Sequence, residues 1–316
     1  MKILHDPDVL SKTAPGIVIA AGFFDGVHLG HRRILSTTVE LARSRSDQAW
    51  VLTFDPHPLA VVAPARRPPL LTRLDLRLEQ LASTGVDGCL LLPFTPALAA
   101  LPAKAFVDSV FGGWLKPDHR CTVVSGTNWR FGHDRAGDLF AIEALTDGGI
   151  TVVSVPLVEI GGERVSSSSI REAVLCGDLV RAHAMLGRPH AVRARTIFGQ
   201  GLGAKLGFAT ANMLPDAEVL PPAGVYAVDA CIRDRGVRRW MRGVANLGYR
   251  PTVVDERSGE SVLEVHILDF DKNLHGAELD VRFLRRLRDE IKFPSLEALV
   301  QQIERDVAFV RKMPAE

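Results

Sequence analysis

Two patterns of apolar and polar positions divide the chain. Up to about residue 187, short apolar runs alternate with segments in which apolar residues recur every three or four positions. The run GIVIAAGFF at 16–24 is typical of a buried parallel strand. After it, Leu35, Val39 and Ala42 mark one face of a helix. Four more strands are predicted at 50–54, 89–94, 121–125 and 151–155, and further helices around 73–84, 104–114 and 138–147.

This alternation predicts an α/β domain over residues 1–187. Strands separated by helices form an open, mostly parallel sheet with helices on both of its faces. In such sheets, ligands bind at the carboxyl ends of the strands. We therefore look for chemistry in the segments that follow each predicted strand.

After residue 188 the pattern becomes that of an antiparallel sheet. Its predicted strands lie at 190–198, 225–232, 239–246, 262–270 and 279–287. The gaps hold Gly, Pro, Asp and Asn and leave no room for crossover helices, so we expect a small closed barrel. A terminal helix follows, with Ser295 as its N-cap and an apolar stripe at Leu296, Leu299, Val300, Ile303, Val307 and Val310. The predicted domain boundary is 187/188, giving a second domain at 188–316.

Composition narrows the class of protein. The 316 residues suit two domains, and 47% apolar residues exclude disorder over most of the length. Lys and Arg number 38 against 37 Asp and Glu, which argues against a nucleic-acid coat. The chain has no apolar run of about 18 residues, so no membrane span is expected.

The cysteines indicate a reducing compartment. Cys89, Cys121, Cys176 and Cys231 form no CxxC motif, and all four are expected to be buried free thiols. The N-terminus, MKILHDPDVL, lacks the apolar core of a signal peptide. A soluble cytoplasmic protein is predicted.

The first candidate site is the segment GFFDGVHLGH at 22–31, which joins the first strand to the first helix. Its glycines let the backbone approach a ligand, and the helix N-terminus favours phosphate. His28 and His31 share a helical face and can donate hydrogen bonds to a phosphate chain. Two surface histidines in a turn are the alternative, and a metal site lacks a third ligand at a supporting spacing.

Three further polar segments are candidates: two follow predicted strands, and the third, a serine run, opens a helix. They are TFDPHP at 53–58, with His57; GTNWRFG at 126–132, with Asn128 and Arg130; and SSSSIR at 166–171, with Arg171. Hydroxyl groups, backbone N–H groups and a guanidinium at a helix start can hold phosphate. The structural alternatives are a rigid turn at His57, a turn-forming Asn128 and a redundant N-cap in the serine run.

A second candidate site lies in the barrel. The segment GQGLGAKLGFATAN at 199–212 is rich in glycine but lacks the P-loop pattern, and a β-bulge explains such glycines about as well. Glu264 is an acidic residue in an apolar strand, where it shares one face with His266 and Leu268. An edge-strand glutamate that faces water is the alternative.

These motifs together resemble the bacterial bifunctional riboflavin kinase/FMN adenylyltransferase family, also called FAD synthetase. The string GFFDGVHLGH is the most specific, and the other segments recur in the family's order over essentially the whole chain. Two positions depart from the family pattern: Ser168 stands where Thr is usual, and Ala209 stands where Pro is usual. The second departure removes a stiff residue just before a predicted metal ligand.

For the first domain the resemblance implies a Rossmann-like nucleotidylyltransferase. FMN would attack the α-phosphorus of ATP to give FAD and pyrophosphate, with Mg²⁺ neutralising charge. His28, His31 and Arg171 would be the catalytic residues. The ATP- and FMN-binding residues would be Gly22, Phe24, Asp25, Gly30, His57, Asn128, Arg130, Ser167 and Ser168.

For the second domain it implies a riboflavin kinase barrel. Thr210 and Asn212 would hold Mg²⁺ and nucleotide phosphate, and Glu264 would be the general base for the riboflavin hydroxyl. The remaining ATP- and riboflavin-binding residues would be Gly199, Gly203, Lys205, Gly207, Asn246 and Arg288.

Two other hypotheses remain at this stage. One keeps the adenylyl transfer but treats the barrel as a flavin-binding or regulatory module, because of Ala209. The other is an RNA-binding protein, which a net charge of +1 disfavours. The expected partners are small-molecule substrates, with no nucleic acid and no membrane, and a weak homo-oligomer is left open.

Overall fold

The computed structural model describes residues 1–198, 207–233, 239–252 and 255–314, with the side chains of 250–252 and 255–260 set aside. The chain divides into two compact units, Met1–Ser167 and Ser168–Glu316. Each unit has its own core. No helix in the described ranges combines the length and apolar character needed to cross a membrane.

The first unit contains a parallel sheet and its covering helices. Its strands are β1 (Lys2–Leu4), β2 (Gly16–Ala21), β3 (Gln48–Asp55), β4 (Gly88–Pro93), β5 (Arg120–Gly126), β6 (Arg130–Phe131), β7 (Gly137–Asp138), β8 (Thr151–Val155), β9 (Glu159–Ile160) and β10 (Glu163–Arg164). Its helices are α1 (Pro7–Thr13), α2 (Leu29–Arg45), α3 (Pro58–Val62), α4 (Leu74–Ala82), α5 (Pro96–Ala99), α6 (Ala103–Phe111) and α7 (Leu139–Leu145), with short 3-10 turns at Pro64–Arg66, Gly112–Trp114 and His133–Arg135.

The predicted parallel sheet is confirmed. Its order is β1-β4-β3-β2-β5-β8, and every neighbouring pair is parallel. Two small antiparallel pairs, β6–β7 and β9–β10, stand apart from it. The predicted strand at 16–24 is too long, because the chain leaves the sheet after Ala21 and Phe24 takes a left-handed φ of 60°. The sequence analysis also missed β1 and α1.

Strand β2 shows why its sequence is apolar without alternation. Ile17 and Ile19 pack into the core on one face of the sheet. Val18 and Ala20 pack into the core on the other face. Because helices cover both faces, each of these residues is at most 1% exposed. The sheet therefore presents its chemistry at the strand ends and not on a face.

The second unit begins with two helices and continues as a barrel. After α8 (Ser167–Leu175) and α9 (Leu179–Leu186) come β11 (His190–Ile197), β12 (Ala211–Met213), β13 (Gly224–Ile232), β14 (Trp240–Thr252), β15 (Asp255–Ile267), β16 (Glu278–Arg288) and α10 (Leu296–Arg311). The described strands close in the order β11-β12-β15-β14-β13-β16. All of these pairs are antiparallel, so the predicted barrel is confirmed. The sequence analysis missed β12 and predicted β14 and β15 too short.

Alternate residues of the barrel strands face two different layers. Leu263, Val265 and Ile267 of β15 lie in the barrel core. On the outside, α10 covers a second apolar cluster, in which Val310 packs with Val225, Ala227, Val244, Leu268 and Leu284. Ser295 caps this helix as predicted, because its hydroxyl oxygen accepts the Ala298 N–H at 3.2 Å. The predicted stripe is wrong at its start, since Leu296 in the first turn is 55% exposed.

The cysteine prediction is correct for three of the four thiols. Cys89, Cys121 and Cys231 are buried, whereas Cys176 is exposed. Cys176 follows the last residue of α8, and its N–H donates to the Glu172 carbonyl in the closing turn. Its side chain therefore leaves the helix at the surface. All four cysteines are free.

Helix α9 packs on the barrel. Leu179 is 3% exposed and belongs to the barrel core. The His183 ring donates a hydrogen bond from Nε2 to the Phe283 carbonyl at 2.8 Å. The compact units divide between Ser167 and Ser168, so α9 lies on the barrel side of that division.

We expect a fragment of residues 168–316 to be more stable than one of residues 188–316. The shorter fragment loses the burial of Leu179 and the His183 hydrogen bond, a difference of about 2–4 kcal/mol. Urea unfolding followed by circular dichroism measures it. Equal midpoints would show that α9 adds nothing to the barrel and would favour the 187/188 boundary.

Candidate functional site

The segment between β2 and α2 is a tight, buried turn. Phe24, Gly26 and Val27 have φ of 60°, 80° and 38°, all in the left-handed region. Phe24 and Val27 are nonetheless at most 1% exposed, and the Val27 N–H donates to the Phe24 carbonyl at 3.1 Å. Such a backbone persists only when its surroundings fix it firmly.

Hydrogen bonds from other segments fix this turn. Asp25 is 3% exposed, and its carboxylate accepts the backbone N–H groups of Leu71 and Thr72 at 3.0 and 3.1 Å. The Ser167 hydroxyl donates to the Asp25 carbonyl at 2.9 Å, and the Thr53 hydroxyl donates to the Phe23 carbonyl at 3.0 Å. Asp25 and Ser167 thus shape the turn, and direct contact of either with a nucleotide stays a prediction.

Two stacked histidines lie at the start of α2, directly after the turn. The rings of His28 and His31 lie 3.6 Å apart between centroids, with 16° between their planes. His28 is the N-cap, and its Nδ1 accepts the His31 N–H at 3.2 Å. A neutral His28 ring therefore carries its proton on Nε2. A Cβ on residue 30 would lie only 3.1 Å from the His28 ring, so glycine at this position leaves room for the imidazole.

A buried arginine supports the same turn, and the sequence analysis missed it. Arg77 of α4 is 1% exposed, and its guanidinium lies 4.2 Å above the Phe23 ring. Its Nη2 donates to the Phe54 carbonyl at 3.0 Å, while Nε and Nη1 have no hydrogen-bond partner among the described residues. Burial lowers the pKa of Arg77, and the charges of Asp25 and Asp55 oppose that shift. The Arg77 guanidinium thus places a buried positive charge next to Phe23 of the turn.

His57 also contacts Phe23. Their rings meet edge to face, with centroids 4.3 Å apart. His57 caps α3, because its Nδ1 accepts the Leu59 N–H at 3.0 Å. Arg77 and His57 therefore both contact the Phe23 ring, Arg77 over its face and His57 edge to face, beside the ends of β2 and β3.

The loop after β5 reaches the same edge of the sheet, since β5 is the parallel neighbour of β2. Asn128 is exposed there. Arg130 is also exposed, and its Nη1 donates to the Trp129 carbonyl at 2.8 Å. Ser168 and Arg171 lie in the second unit, where Ser168 is exposed and Arg171 is 9% exposed in α8.

In the barrel, strand register aligns three of the predicted residues. Glu264 of β15 lies opposite Asn212 of β12 on one side and opposite Asn246 of β14 on the other. The three side chains project from the outer surface of the barrel, since their neighbours in each strand face the core. Glu264 is half-buried and Asn212 is 7% exposed. We call Asn212, Glu264 and Asn246 the polar row.

Other contacts extend the polar row. The Asn212 amide donates to the Thr210 hydroxyl oxygen at 3.5 Å. The Asn246 amide donates to Glu290 at 2.9 Å. Arg288 binds Asp306 of α10 through Nε at 3.0 Å, so its charge is paired within the unit. Gly207 has a φ of 87° and is exposed, whereas Gly199, Gly203 and Lys205 lie outside the described residues.

His266 is a second residue that the sequence analysis left without a role. Its Nδ1 donates to the Ala209 carbonyl at 2.9 Å, and the Phe208 ring meets its ring edge to face at 5.5 Å. The sequence feature that could have identified His266 as a site residue is its position, two residues from Glu264 on the same strand face. In the described ranges, no group of three or more His, Cys, Asp or Glu side chains is arranged to hold a metal ion.

Two family models match successive parts of the chain. Residues 10–169 match the family model of FAD synthetase, and residues 186–314 match that of riboflavin kinase. The first match holds the histidine pair, and the second holds the polar row.

Similar proteins extend over the full length. The chain is 36% identical over 314 residues to the bifunctional riboflavin kinase/FMN adenylyltransferase of Escherichia coli strain K12, covering 99% of this chain and 97% of that protein. It is 38% identical to the Pseudomonas fluorescens protein of the same name, covering 95% and 94%. A crystal structure titled as a macrolide-efflux protein from Streptococcus pneumoniae superimposes with a TM-score of 0.84 at 28% identity, covering 99% of this chain and all of that one. With both family models matched and relatives above 30% identity over nearly its whole length, the chain belongs to the bifunctional riboflavin kinase/FMN adenylyltransferase family.

Proposed function

We propose that the two reactions of this family take place at two separate sites, the histidine pair at the start of α2 and the polar row of the barrel. The enzyme phosphorylates riboflavin to FMN with ATP, and it adenylylates FMN to FAD. The observation that carries the proposal is that each unit has a family match of its own and a polar site of its own. The hypothesis of a barrel without kinase activity is not favoured.

At the first site, an FMN phosphate oxygen forms a bond to the α-phosphorus of ATP. The bond from that phosphorus to the β-phosphate oxygen breaks, and pyrophosphate leaves. The N-terminus of α2 favours the negative charge, and donors on His28 and His31 stabilise the charge that develops on the departing group. Because His28 Nδ1 accepts the His31 N–H, Nε2 is the nitrogen of a neutral His28 ring that can donate, which supports this role. Gly22, Gly30, Asn128 and Arg130 are proposed to hold the substrates, and the roles of Ser168 and Arg171 stay predictions from the family resemblance.

At the second site, the riboflavin 5′-hydroxyl oxygen attacks the γ-phosphorus of ATP and ADP leaves. Glu264 is proposed as the base that accepts the hydroxyl proton. Two asparagines flank it in the strand register, and a carboxylate held among amides at the barrel surface can meet a substrate hydroxyl. Positioning and charge stabilisation account for most of the catalysis in reactions of this kind.

The donors around Thr210 suit Mg²⁺. The Asn212 amide donates a hydrogen bond to the Thr210 hydroxyl. Asn212 lies opposite Glu264 in the sheet. These are hard oxygen donors without a soft ligand among them, and Mg²⁺ is usually held by few protein oxygens and several waters. When bound, the ion neutralises charge on the nucleotide phosphates. Thr210 and Asn212 would hold it there.

The cysteines support a cytoplasmic location. Burial raises the pKa of the Cys89 thiol to about 12, so this thiol stays protonated. All four cysteines are free, as expected in a reducing compartment. The partners proposed are the small-molecule substrates.

We expect His28→Ala and His31→Ala, made separately, to slow FAD formation by about 100-fold or more, because each removes a donor that stabilises the leaving group. FMN formation should continue at its normal rate. Chromatography of flavins after incubation with riboflavin, ATP and Mg²⁺ measures both products. His119→Ala, in a turn remote from the pair along the chain, is the matched control. Equal loss of both activities in a folded variant would contradict the assignment.

Thr210→Val removes a proposed oxygen ligand and keeps the shape of the side chain. The Mg²⁺ concentration that gives half-maximal FMN formation should rise by about 10-fold or more. The Mg²⁺ requirement of FAD formation from supplied FMN should stay the same, which makes the first site an internal control. Thr13→Val on α1 controls for loss of a hydroxyl. An unchanged Mg²⁺ titration of FMN formation would exclude Thr210 as a ligand.

Glu264→Gln keeps the shape of Glu264 but removes the proton acceptor. FMN formation should fall by about 100- to 10,000-fold, the usual loss for a general base. Riboflavin and ATP binding, measured by calorimetry, should change far less, and supplied FMN should still become FAD. Glu304→Gln on α10 is the matched control. A Glu264→Gln protein that makes FMN at wild-type speed would remove Glu264 from the mechanism.

A further inference from the structure

We propose that His266 is a positioning residue of the kinase site, which holds the Thr210 and Asn212 segment through the carbonyl of Ala209. This inference rests on the proposed roles of Thr210 and Asn212. It assigns His266 a function in nucleotide binding without contact with the nucleotide.

The geometry around His266 makes it an anchor. A carbonyl oxygen can only accept, so the 2.9 Å contact fixes the proton of a neutral His266 ring on Nδ1. His266 itself is held in β15 by its ladder position opposite Val244. The edge of the Phe208 ring adds a second contact to the same imidazole. His266, which is held in a paired strand, thus contacts both Phe208 and Ala209.

The residues that His266 contacts lie outside the ladder of backbone hydrogen bonds in the barrel sheet. Strand β12 contains three residues, Ala211–Met213, and its pairing begins at Ala211. Ala209 and Thr210 lie just before it, with Ala209 exposed. Apart from the hydrogen bond from Asn212, a restraint on the Thr210 hydroxyl must act on the residues before the strand, and the His266 hydrogen bond acts one residue away.

Ala209 explains why such an anchor matters in this chain. The family pattern has proline here, and proline fixes φ and restricts the residue before it. Alanine leaves both free. Among the described residues, no acceptor is found for the Ala209 N–H, so the backbone gains no compensating hydrogen bond. The His266 contact supplies from a neighbouring strand a restraint that alanine lacks.

The expected effect is on nucleotide affinity and not on the chemical step. If Thr210 and Asn212 are correctly placed in only a fraction of the molecules, the apparent affinity for MgATP equals the intrinsic affinity multiplied by that fraction. One hydrogen bond of this kind shifts such an equilibrium by about two- to tenfold. Saturating MgATP should restore the arrangement, so kcat should change little.

The test compares two substitutions of His266 in the full-length enzyme. His266→Ala should raise KM for MgATP in FMN formation by about three- to tenfold, with kcat within twofold. His266→Asn should keep most of the affinity, because the Asn amide nitrogen can take the position of Nδ1 and donate to Ala209. His119→Ala removes a comparable ring contact, to the Pro117 carbonyl at 3.2 Å, and should change neither constant.

Ala209→Pro makes the test specific. In the wild-type background it should leave KM for MgATP unchanged or lower it. In the His266→Ala background it should restore most of the lost affinity, because proline supplies the missing restraint. Additive effects of the two substitutions, or a loss in kcat without a change in KM, would overturn the inference.

The proposed ligand roles are tested separately by Thr210→Val. If that variant loses Mg²⁺ affinity and His266→Ala has no effect on KM, only the positioning role fails. If Thr210→Val changes nothing, the assignment of the site itself fails. Circular dichroism and thermal unfolding of each variant show whether the barrel is folded, and FAD formation from supplied FMN shows that the first unit is intact.

Discussion

The two hydrogen bonds from Leu71 and Thr72 to the Asp25 carboxylate are the constraint on which the first site depends. The turn around Asp25 places Phe24 and Val27 in the left-handed region, which costs a non-glycine residue about 1–3 kcal/mol. A buried carboxylate that accepts two N–H groups offsets this cost, because charged acceptors make strong hydrogen bonds. The direction in which α2 starts, and with it the position of His28, follows from the path of the turn.

The two sites use different parts of the backbone. The first depends on a helix end, where free N–H groups and the two imidazoles supply donors for phosphate. The second depends on strand register, which aligns Asn212, Glu264 and Asn246 by pairing alone. Farther along the same outer surface, the barrel turns apolar and packs under α10. The terminal helix thus covers one part of the barrel and leaves the polar row outside its apolar contacts.

Periodicity was enough to predict both architectures. Two-sided burial makes β2 continuously apolar, and one-sided core packing makes β15 alternate, so each pattern identifies its sheet. What failed has local causes: β12 has three residues in a glycine-rich segment, too few to show a period. Arg77 and His266 were missed because residue spacing shows which face a side chain takes but not the carbonyl or ring it meets in another segment. Motif resemblance located Glu264 and the histidine pair more directly than periodicity did.

The closure of the barrel has a consequence for protein synthesis. Strand β11, the first strand of the barrel, pairs with β16, the last, and α10 then covers the outer cluster through Val310. A ribosome that has made the whole parallel sheet still lacks the strand that seals the barrel until residue 288 has emerged. Co-translational folding can therefore finish the first unit while the second is an open ribbon with unpaired edges, the state in which strands aggregate. A late frameshift or stop codon would leave a finished adenylyl-transfer unit attached to such a ribbon.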